Sequence, residues 1–394
     1  MQPKKIAIYS GEIPSTTFIE RLIEGLANDG FQISLFGLQA KKKVSYAKNV
    51  SVFSYSNKWN KLYILLKYTF LLTIFKPKEK QKLDKIISNK KRNTSLYKVK
   101  YYPVLYHKPD IFHLQWAKSL EDWIWVRDFG IKLILSLRGT HITISPIADE
   151  KLAEQYLALF PKVDGFHAVS KSIQMQAEEY GAETTKIKVV YSGLRLNELP
   201  FVENKIQNKT LKILSIGRSH WVKGYTDALD ACALLKKENF DFQYAIIGVG
   251  NDEELIFQKA QLDLEKEVVF KKNMPFKEII TEIQQADILL LSSLEEGIAN
   301  VVLEAMAFGT IVLSTHCGGI EEVITHGENG FMVPVRNPVA IAEKIKTIAL
   351  LSEKEKIEIR KKARTTIEEQ HNFDENCTLM LDLYQSVLKF QNMR

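Results

Sequence analysis

Short runs of Val, Ile and Leu recur along this chain, separated by stretches with a helical apolar period, and that alternation restricts the folds open to it. In the first half the runs are KIAIYS, QISLFGL, VSVFSY, IFHLQW, KLILSL, GFHAVS and IKVVYS. In the second they are LKILSIG, FQYAIIG, EVVFKK, DILLLSS, TIVLST and GFMVPV. Most are continuous, as strands covered on both faces are. Helical patterns fill many of the gaps, for example at 18–28, 223–238, 253–262 and 276–286. Strands alternating with helices build parallel sheets from βαβ units. Between the two series the stretch 197–210 is polar and lacks an apolar period, as a linker does. The expected class is therefore α/β, with two doubly wound domains facing each other. Ligands of such sheets bind beyond the carboxyl ends of the strands, which makes the cleft between the domains the expected site.

Length and composition agree with this class. A chain of 394 residues buries large cores without staples, and 45% of its residues are hydrophobic. The three cysteines, Cys232, Cys317 and Cys377, form no ligand-spaced pair, which fits a reducing compartment. The net charge of +7 is unevenly spread. Residues 1–200 carry 31 Lys+Arg against 18 Asp+Glu, and residues 201–394 carry 23 against 29. A basic half implies an anionic partner. No nucleic-acid motif occurs, and the basic half lacks the aromatic interleaving of a base-stacking surface.

The run Ile6–Tyr9 is too short for a signal-peptide core and meets Gly11 and Pro14 at once, so it reads as a first strand. The most apolar long stretch, LYILLKYTFLLTIF at 62–75, has only 14 residues and cannot span a bilayer. Residues 76–100 then supply ten Lys/Arg against two acids. Two readings stay open for 59–100. One is contact with an anionic membrane surface; the other is a buried helix followed by a solvated loop.

The most informative block follows DILLLSS and reads SSLEEGIANVVLEAMAFGTIVLSTHCGGIEEVI. Glu296 sits just past the strand, Gly297 permits close backbone approach, and a helix is expected from Asn300, with Glu304 one turn inside it. Free amides and the positive dipole end at Ile298, Ala299, Asn300 and Val301 make an anion site suited to a pyrophosphate. Acids near a helix start also act as plain caps, and for a single Glu that is the commoner role. A second strand-to-helix block, SIGRSHWVKGYTDALDA, offers Arg218 and Lys223 as a diphosphate clamp. A third turn, IIGVGNDEEL, places Gly248 and Gly250 after a strand but lacks the spacing of a dinucleotide fingerprint.

Together these blocks resemble the donor domain of the retaining glycosyltransferases of family 4, which have the GT-B fold. The family pattern is a Glu, seven residues and a second Glu, here Glu296 and Glu304. An Ala-Met-Ala-x-Gly helix end follows (Ala305, Met306, Ala307, Gly309), then a Gly-Gly-x-x-Glu turn (Gly318, Gly319, Glu322). The resemblance runs over 211–334. It implies that Arg218 and Lys223 clamp the donor phosphates, Glu304 holds the nucleotide ribose and Glu296 contacts the donor sugar. In the N-terminal half, Thr17, Phe18 and Ile19 match a family segment, and Gly11 occupies the loop that approaches the phosphates. Where many members have His-Gly-x-Asp, this chain has Arg138-Gly139-Thr140-His141, so both Arg138 and His141 are candidates for the sugar contact. His113 reads equally as a cleft residue or a satisfied core histidine.

The resemblance implies a nucleotide-binding domain at 206–373, an acceptor-side domain at 1–200 and a terminal helix at 374–394 returning to it. The expected activity is transfer from a UDP- or GDP-type sugar to a hydroxyl of a lipid-linked or oligosaccharide acceptor in surface polysaccharide assembly. The expected place is the cytoplasm, with peripheral attachment to the inner face of the plasma membrane if the first reading of 59–100 holds. No Asp-x-Asp occurs, so neither a required metal nor another cofactor is expected beyond the nucleotide-sugar co-substrate. The competing readings are a GT-B epimerase or phosphorylase, and a non-catalytic sugar-nucleotide-binding paralogue.

Overall fold

The computed structural model describes residues 5–41, 44–90, 93–203, 205 and 209–389. Positions 91–92 of the basic segment, 204 and 206–208 of the polar stretch, and the ends 1–4 and 390–394 lie outside the described residues.

The chain forms two compact units. The first contains a seven-stranded sheet of β1 (Lys5–Ile13), β2 (Gln32–Gln39), β3 (Val50–Tyr55), β4 (Ile111–Leu114), β5 (Lys132–Leu137), β6 (Gly165–Ala168) and β7 (Ile187–Val189). Its order is β3-β2-β1-β4-β5-β6-β7, and all its pairings are parallel. The second contains β8 (Leu211–Ile216), β9 (Phe242–Ile247), β10 (Val268–Lys271), β11 (Ile288–Leu291), β12 (Ile311–Thr315) and β13 (Phe331–Val333). Its order is β10-β9-β8-β11-β12-β13, again parallel throughout. In each sheet the first strand lies centrally and the order reverses beside it, a doubly wound arrangement.

Why the strands are apolar without alternation is visible in their packing. Along β1, Ala7 and Tyr9 join one core while Ile6 and Ile8 join another on the opposite face. In the second unit Ile288 and Leu290 face one core, and Leu289 and Leu291 the other. Burying both faces favours continuous apolar runs over alternation, and a polar residue is accommodated only where it finds a buried partner.

The C-terminal helix Phe373–Lys389 runs onto the first unit from Asp374 onward. Its Met380, Leu383, Tyr384 and Val387 share a core with Ile6, Ile8 and Ile134. Gly165 makes this approach possible, since a Cβ there would lie 2.6 Å from Val387 Cγ2.

The same helix terminates a buried polar chain. His113 Nδ1 lies 2.7 Å from the Tyr384 hydroxyl and its Nε2 2.8 Å from Ser136 Oγ. Ser136 Oγ lies 2.9 Å from His167 Nδ1, and His167 Nε2 is 3.0 Å from the Val190 carbonyl. A carbonyl only accepts, so Nε2–H of His167 donates to it, and the order of donors follows back to the Tyr384 hydroxyl. His113 is thus a satisfied core histidine. Burial, with the neighbouring His167 and Arg138, holds its pKa well below the ordinary imidazole value. Burial and then Arg138 push His167 down to about 3. Both rings are neutral in the folded unit, so the unfolded chain takes up their protons first as pH falls. Stability is expected to be full above pH ~6.5 and to decline below it, by about 2 kcal/mol per histidine at pH ~5. Urea midpoints measured near pH 7.5 and pH 5 check this, and His167→Gln should flatten the difference.

Residues 58–107 depart from the second reading of that region, a buried helix followed by a loop. They form three helices, α2 (Lys58–Phe75), α3 (Pro77–Ser88) and α4 (Thr94–His107), after α1 (Thr17–Asn28). On α2 only Tyr68 and Leu72 are buried. No described helix is long and apolar enough to cross a membrane.

Candidate functional site

The loops leaving β8 and β11 flank the point where strand order reverses in the second sheet. They lock together through their backbones. Leu294 N donates to the Val222 carbonyl at 2.7 Å, and Ser292 Oγ donates to the Lys223 carbonyl at 2.9 Å. Gly224 has φ +59°, and a Cβ there would lie 2.1 Å from the Ser292 carbonyl. This left-handed residue stops the following helix from starting at Lys223, so it runs instead over Tyr225–Lys237. Lys223 is consequently on a short turn, with its ammonium directed at the facing loop.

There Lys223 Nζ meets Glu296 Oε1 at 2.6 Å. Ser293 Oγ donates to the same oxygen at 2.8 Å. The two charged side chains are 18% and 16% exposed, sheltered but reachable. Arg218, in contrast, is exposed on the loop after β8. Gly248 approaches that loop closely: at φ +100° its missing Cβ would be 2.5 Å from the Gly217 carbonyl.

Four residues beyond Glu296 the chain enters the helix Asn300–Phe308, whose cap residue Ala299 offers no side-chain hydrogen bond. The first turn holds no acidic residue, and Asn300 Oδ1 is buried without a hydrogen-bond partner. The helix start at Ile298 to Val301 thus has its dipole's positive end and no acidic side chain in its first turn to compete for its amides. Glu304 follows one turn inside and is half-buried. Glu295 is also half-buried, and burial together with the adjacent Glu296 raises its pKa.

Glycines set the shape of the Glu296 loop from behind. Gly319 N donates to the Glu296 carbonyl at 3.1 Å. A Cβ on Gly318 would lie 1.9 Å from the Glu296 carbonyl, and one on Gly319 1.9 Å from the Gly297 carbonyl. The Glu of this turn has a structural task. Glu322 accepts from the backbone amides of Lys171 and Ser172, each at 2.8 Å, and from the Tyr191 hydroxyl at 2.9 Å.

The remaining sequence candidates lie in the first unit, at the carboxyl ends of its central strands. Gly11 follows a register shift in β1 and has φ +90°. Its carbonyl would be 2.9 Å from a Cβ on Gly37. Arg138, just past β5, lies 4.5 Å over the Phe18 ring and donates to Gln115 Oε1 at 3.2 Å. Burial lowers its pKa, yet a guanidinium stays charged at neutral pH. The His141 ring lies 5.3 Å from that of Trp116, whose indole N–H donates to the Ser10 carbonyl at 2.9 Å. Arg138 and His141 are thus joined through one aromatic group of Phe18 and Trp116, whose rings meet edge-on at 6.2 Å.

Sequence reasoning missed Ser293, Gln115 and the structural use of Glu322. Ser293 had a signal, a serine pair at the end of an apolar strand; Gln115 had none. Among the described residues no group of three His, Cys, Asp or Glu side chains is placed to hold a metal ion.

Solved structures share this architecture along the whole chain. Sucrose-phosphate synthase from Thermosynechococcus elongatus superposes with TM-score 0.77 at 15% identity, covering 98% of this chain and 99% of that one. Anabaena HepE in complex with UDP and glucose gives 0.73 at 16%, covering 97% and 100%. The fold is GT-B, two Rossmann-like units each built on a parallel sheet. Residues 198–366, which hold the Lys223–Glu296 pair and the Asn300–Phe308 helix, match the family described as glycosyl transferases group 1. Among curated relatives, the amylovoran biosynthesis glycosyltransferase AmsK of Erwinia amylovora is 32% identical over 220 residues. That match covers 52% of this chain and 54% of the relative, so the chain spans about half of that relative's length.

Proposed function

We propose that the protein is a retaining glycosyltransferase that moves a sugar from a UDP- or GDP-type nucleotide sugar to a hydroxyl of a lipid-linked or oligosaccharide acceptor. The observation that carries this reading is the Lys223–Glu296 pair at 2.6 Å, beside a helix start left open to an anion. A transferase of this kind must hold a diphosphate and a sugar side by side, and cation, amides and carboxylate here supply both needs. The family of residues 198–366, the polysaccharide role in the name of the Erwinia relative and the UDP and glucose in the HepE complex support it.

In this reading Arg218, Lys223 and the amides of residues 298–301 hold the phosphates, with Gly248 and Gly297 allowing close approach. Glu304 binds the ribose and Glu296 the sugar. Gly11 is assigned to the phosphates by the family resemblance, and Arg138 or His141 to the sugar. The bond from the anomeric carbon to the leaving phosphate oxygen breaks as the acceptor oxygen attacks from the same face. The acceptor proton passes to that phosphate, so no separate nucleophile is needed. The cations and the helix start take the place of a metal, and chelator should leave the rate unchanged.

Thermal denaturation with a panel of nucleotide sugars tests the donor. A specific donor at about 100 times its Kd adds about 2.7 kcal/mol, a shift of several degrees. A product assay without acceptor separates transfer from epimerisation, which would release free nucleotide unaided. If no nucleotide sugar or free nucleotide moves the transition, the donor reading fails.

A further inference from the structure

Most exposed apolar residues of this chain are scattered singly, as on any protein. On α2 they are not. Trp59, Leu62, Tyr63, Leu66, Phe70 and Ile74 recur three or four residues apart, which places them on one face of the helix. All are exposed, Trp59 at 80%, Leu66 at 62% and Phe70 at 64%. The opposite face, through Tyr68 and Leu72 with Ile64 and Leu71 at its edges, is already used to pack on the first unit's core. From Trp59 to Ile74 the outer stripe is about 22 Å long at the usual helical rise.

The charge around this stripe selects its partner. Residues 58–108 carry fourteen Lys/Arg against two acids, Glu79 and Asp84. Nearly the whole positive excess of residues 1–200 is therefore in α2, α3, α4 and their joints. On α2 itself there is no acid at all. Lys67 rises within the exposed face, with its ammonium 5.8 Å and 5.4 Å from the Tyr63 and Tyr68 ring centres. That posture leaves the lysine stem against apolar surface and its head group at the level of polar partners. A protein interface is depleted in lysine; an apolar stripe set among lysines matches an anionic bilayer surface.

We infer that α2 lies flat in the headgroup region of an anionic membrane, its outer face from Trp59 to Ile74 inserted and its own lysines at the level of the lipid phosphates, within the positive field of the basic segment that follows. The helix does not cross the bilayer: with Lys58, Lys61 and Lys67 in its 18 residues it is not apolar enough to span. Membrane docking of this kind holds the protein where a lipid-linked acceptor would be found, but it does not depend on the donor reading.

Co-sedimentation of the full chain with phosphatidylcholine vesicles containing about 30% phosphatidylglycerol tests it. The wild-type chain should pellet with these vesicles and bind at least about tenfold more weakly to phosphatidylcholine alone. The variant L66E/F70E should lose at least about tenfold in binding, with an unchanged thermal transition because both positions are exposed. Brominated lipid should quench part of the wild-type tryptophan emission, and W59F should remove that part. Should L66E/F70E fold poorly, the lipid dependence and the quenching of the wild type still decide. Wild-type protein left in the supernatant, or L66E/F70E binding like wild type, would overturn the inference. So would a dimer in vesicle-free buffer that L66E/F70E converts to monomer, since the stripe would then bind a second copy. None of these measurements uses a sugar donor, so their failure and that of the donor reading are separate results.

Discussion

Lys223→Ala is expected to lower the rate of sugar transfer by about two to three orders of magnitude, the usual effect of removing one preorganised charge from a site where negative charge develops. The ammonium is committed to that place by its surroundings. Gly224 ends the turn in a left-handed conformation, and the Ser292 hydroxyl holds the Lys223 carbonyl. Among the described residues Lys223 is the cation paired with Glu296, so the alanine variant leaves the carboxylate with the Ser293 hydroxyl. An ion pair of this exposure contributes modestly to folding, and stability should fall by about 2 kcal/mol or less. The rate therefore falls far more than the fold does. Glu296→Ala should lose turnover as well, and the double variant should be more stable than Lys223→Ala, because no carboxylate is then left half-buried without its cation. Steady-state kinetics with the donor found by thermal shift, set beside urea melts of the three variants, would show it. A Lys223→Ala enzyme within about threefold of wild type would remove Lys223 from the proposed site.

Thirteen strand segments could be read from the sequence because a doubly wound sheet hides both faces of its central strands. An unbroken run such as ILLL at Ile288–Leu291 is then its own evidence. The helix at Asn300–Phe308 and the placing of Glu296 before it were legible for a related reason: Gly297 breaks the apolar pattern just where the chain turns. What was not legible depended on contacts remote in sequence. Nothing around Glu322 says that its carboxylate serves the amides of Lys171 and Ser172, some 150 positions earlier. His113 could not be told from a cleft residue until Tyr384, Ser136 and His167 closed a hydrogen-bonded chain around it. The helices α3 and α4 escaped because lysine-rich segments read as solvated loops, although lysine is a good helix former. Apolar period alone could not separate a core helix from an interfacial one on α2, since the helix is apolar on both its packed and its open faces.

Gly319→Ala is expected to disable the site more thoroughly than its single added methyl suggests. Two costs attach to replacing a glycine, and this chain separates them. At Gly327 φ is +79° and nothing lies within 4 Å of an added Cβ, so alanine there meets only the backbone strain of a left-handed residue. That strain is about 1–2 kcal/mol. At Gly319 φ is not in that region; the added carbon would instead sit 1.9 Å from the Gly297 carbonyl oxygen and 2.9 Å from Ser170 Oγ. The nearer of these two obstacles is no flexible tip, because the Gly297 oxygen belongs to the backbone between Glu296 and the helix Asn300–Phe308. The loop must therefore retreat, or the Gly318-Gly319 turn must. Either way the hydrogen bond from Gly319 N to the Glu296 carbonyl is lost or stretched from its 3.1 Å. A forced overlap of this kind costs about 1–3 kcal/mol in a packed interior. The larger consequence falls on geometry, since a displacement of about 1 Å at a reacting group can lower the rate about a hundredfold. Gly319→Ala should thus lose both the nucleotide-sugar thermal shift and turnover, whereas Gly327→Ala should lose a comparable amount of stability and keep both. Equal donor affinity in the two variants would mean that the Glu296 loop yields freely, and that the glycine pair is not what holds the carboxylate toward Lys223.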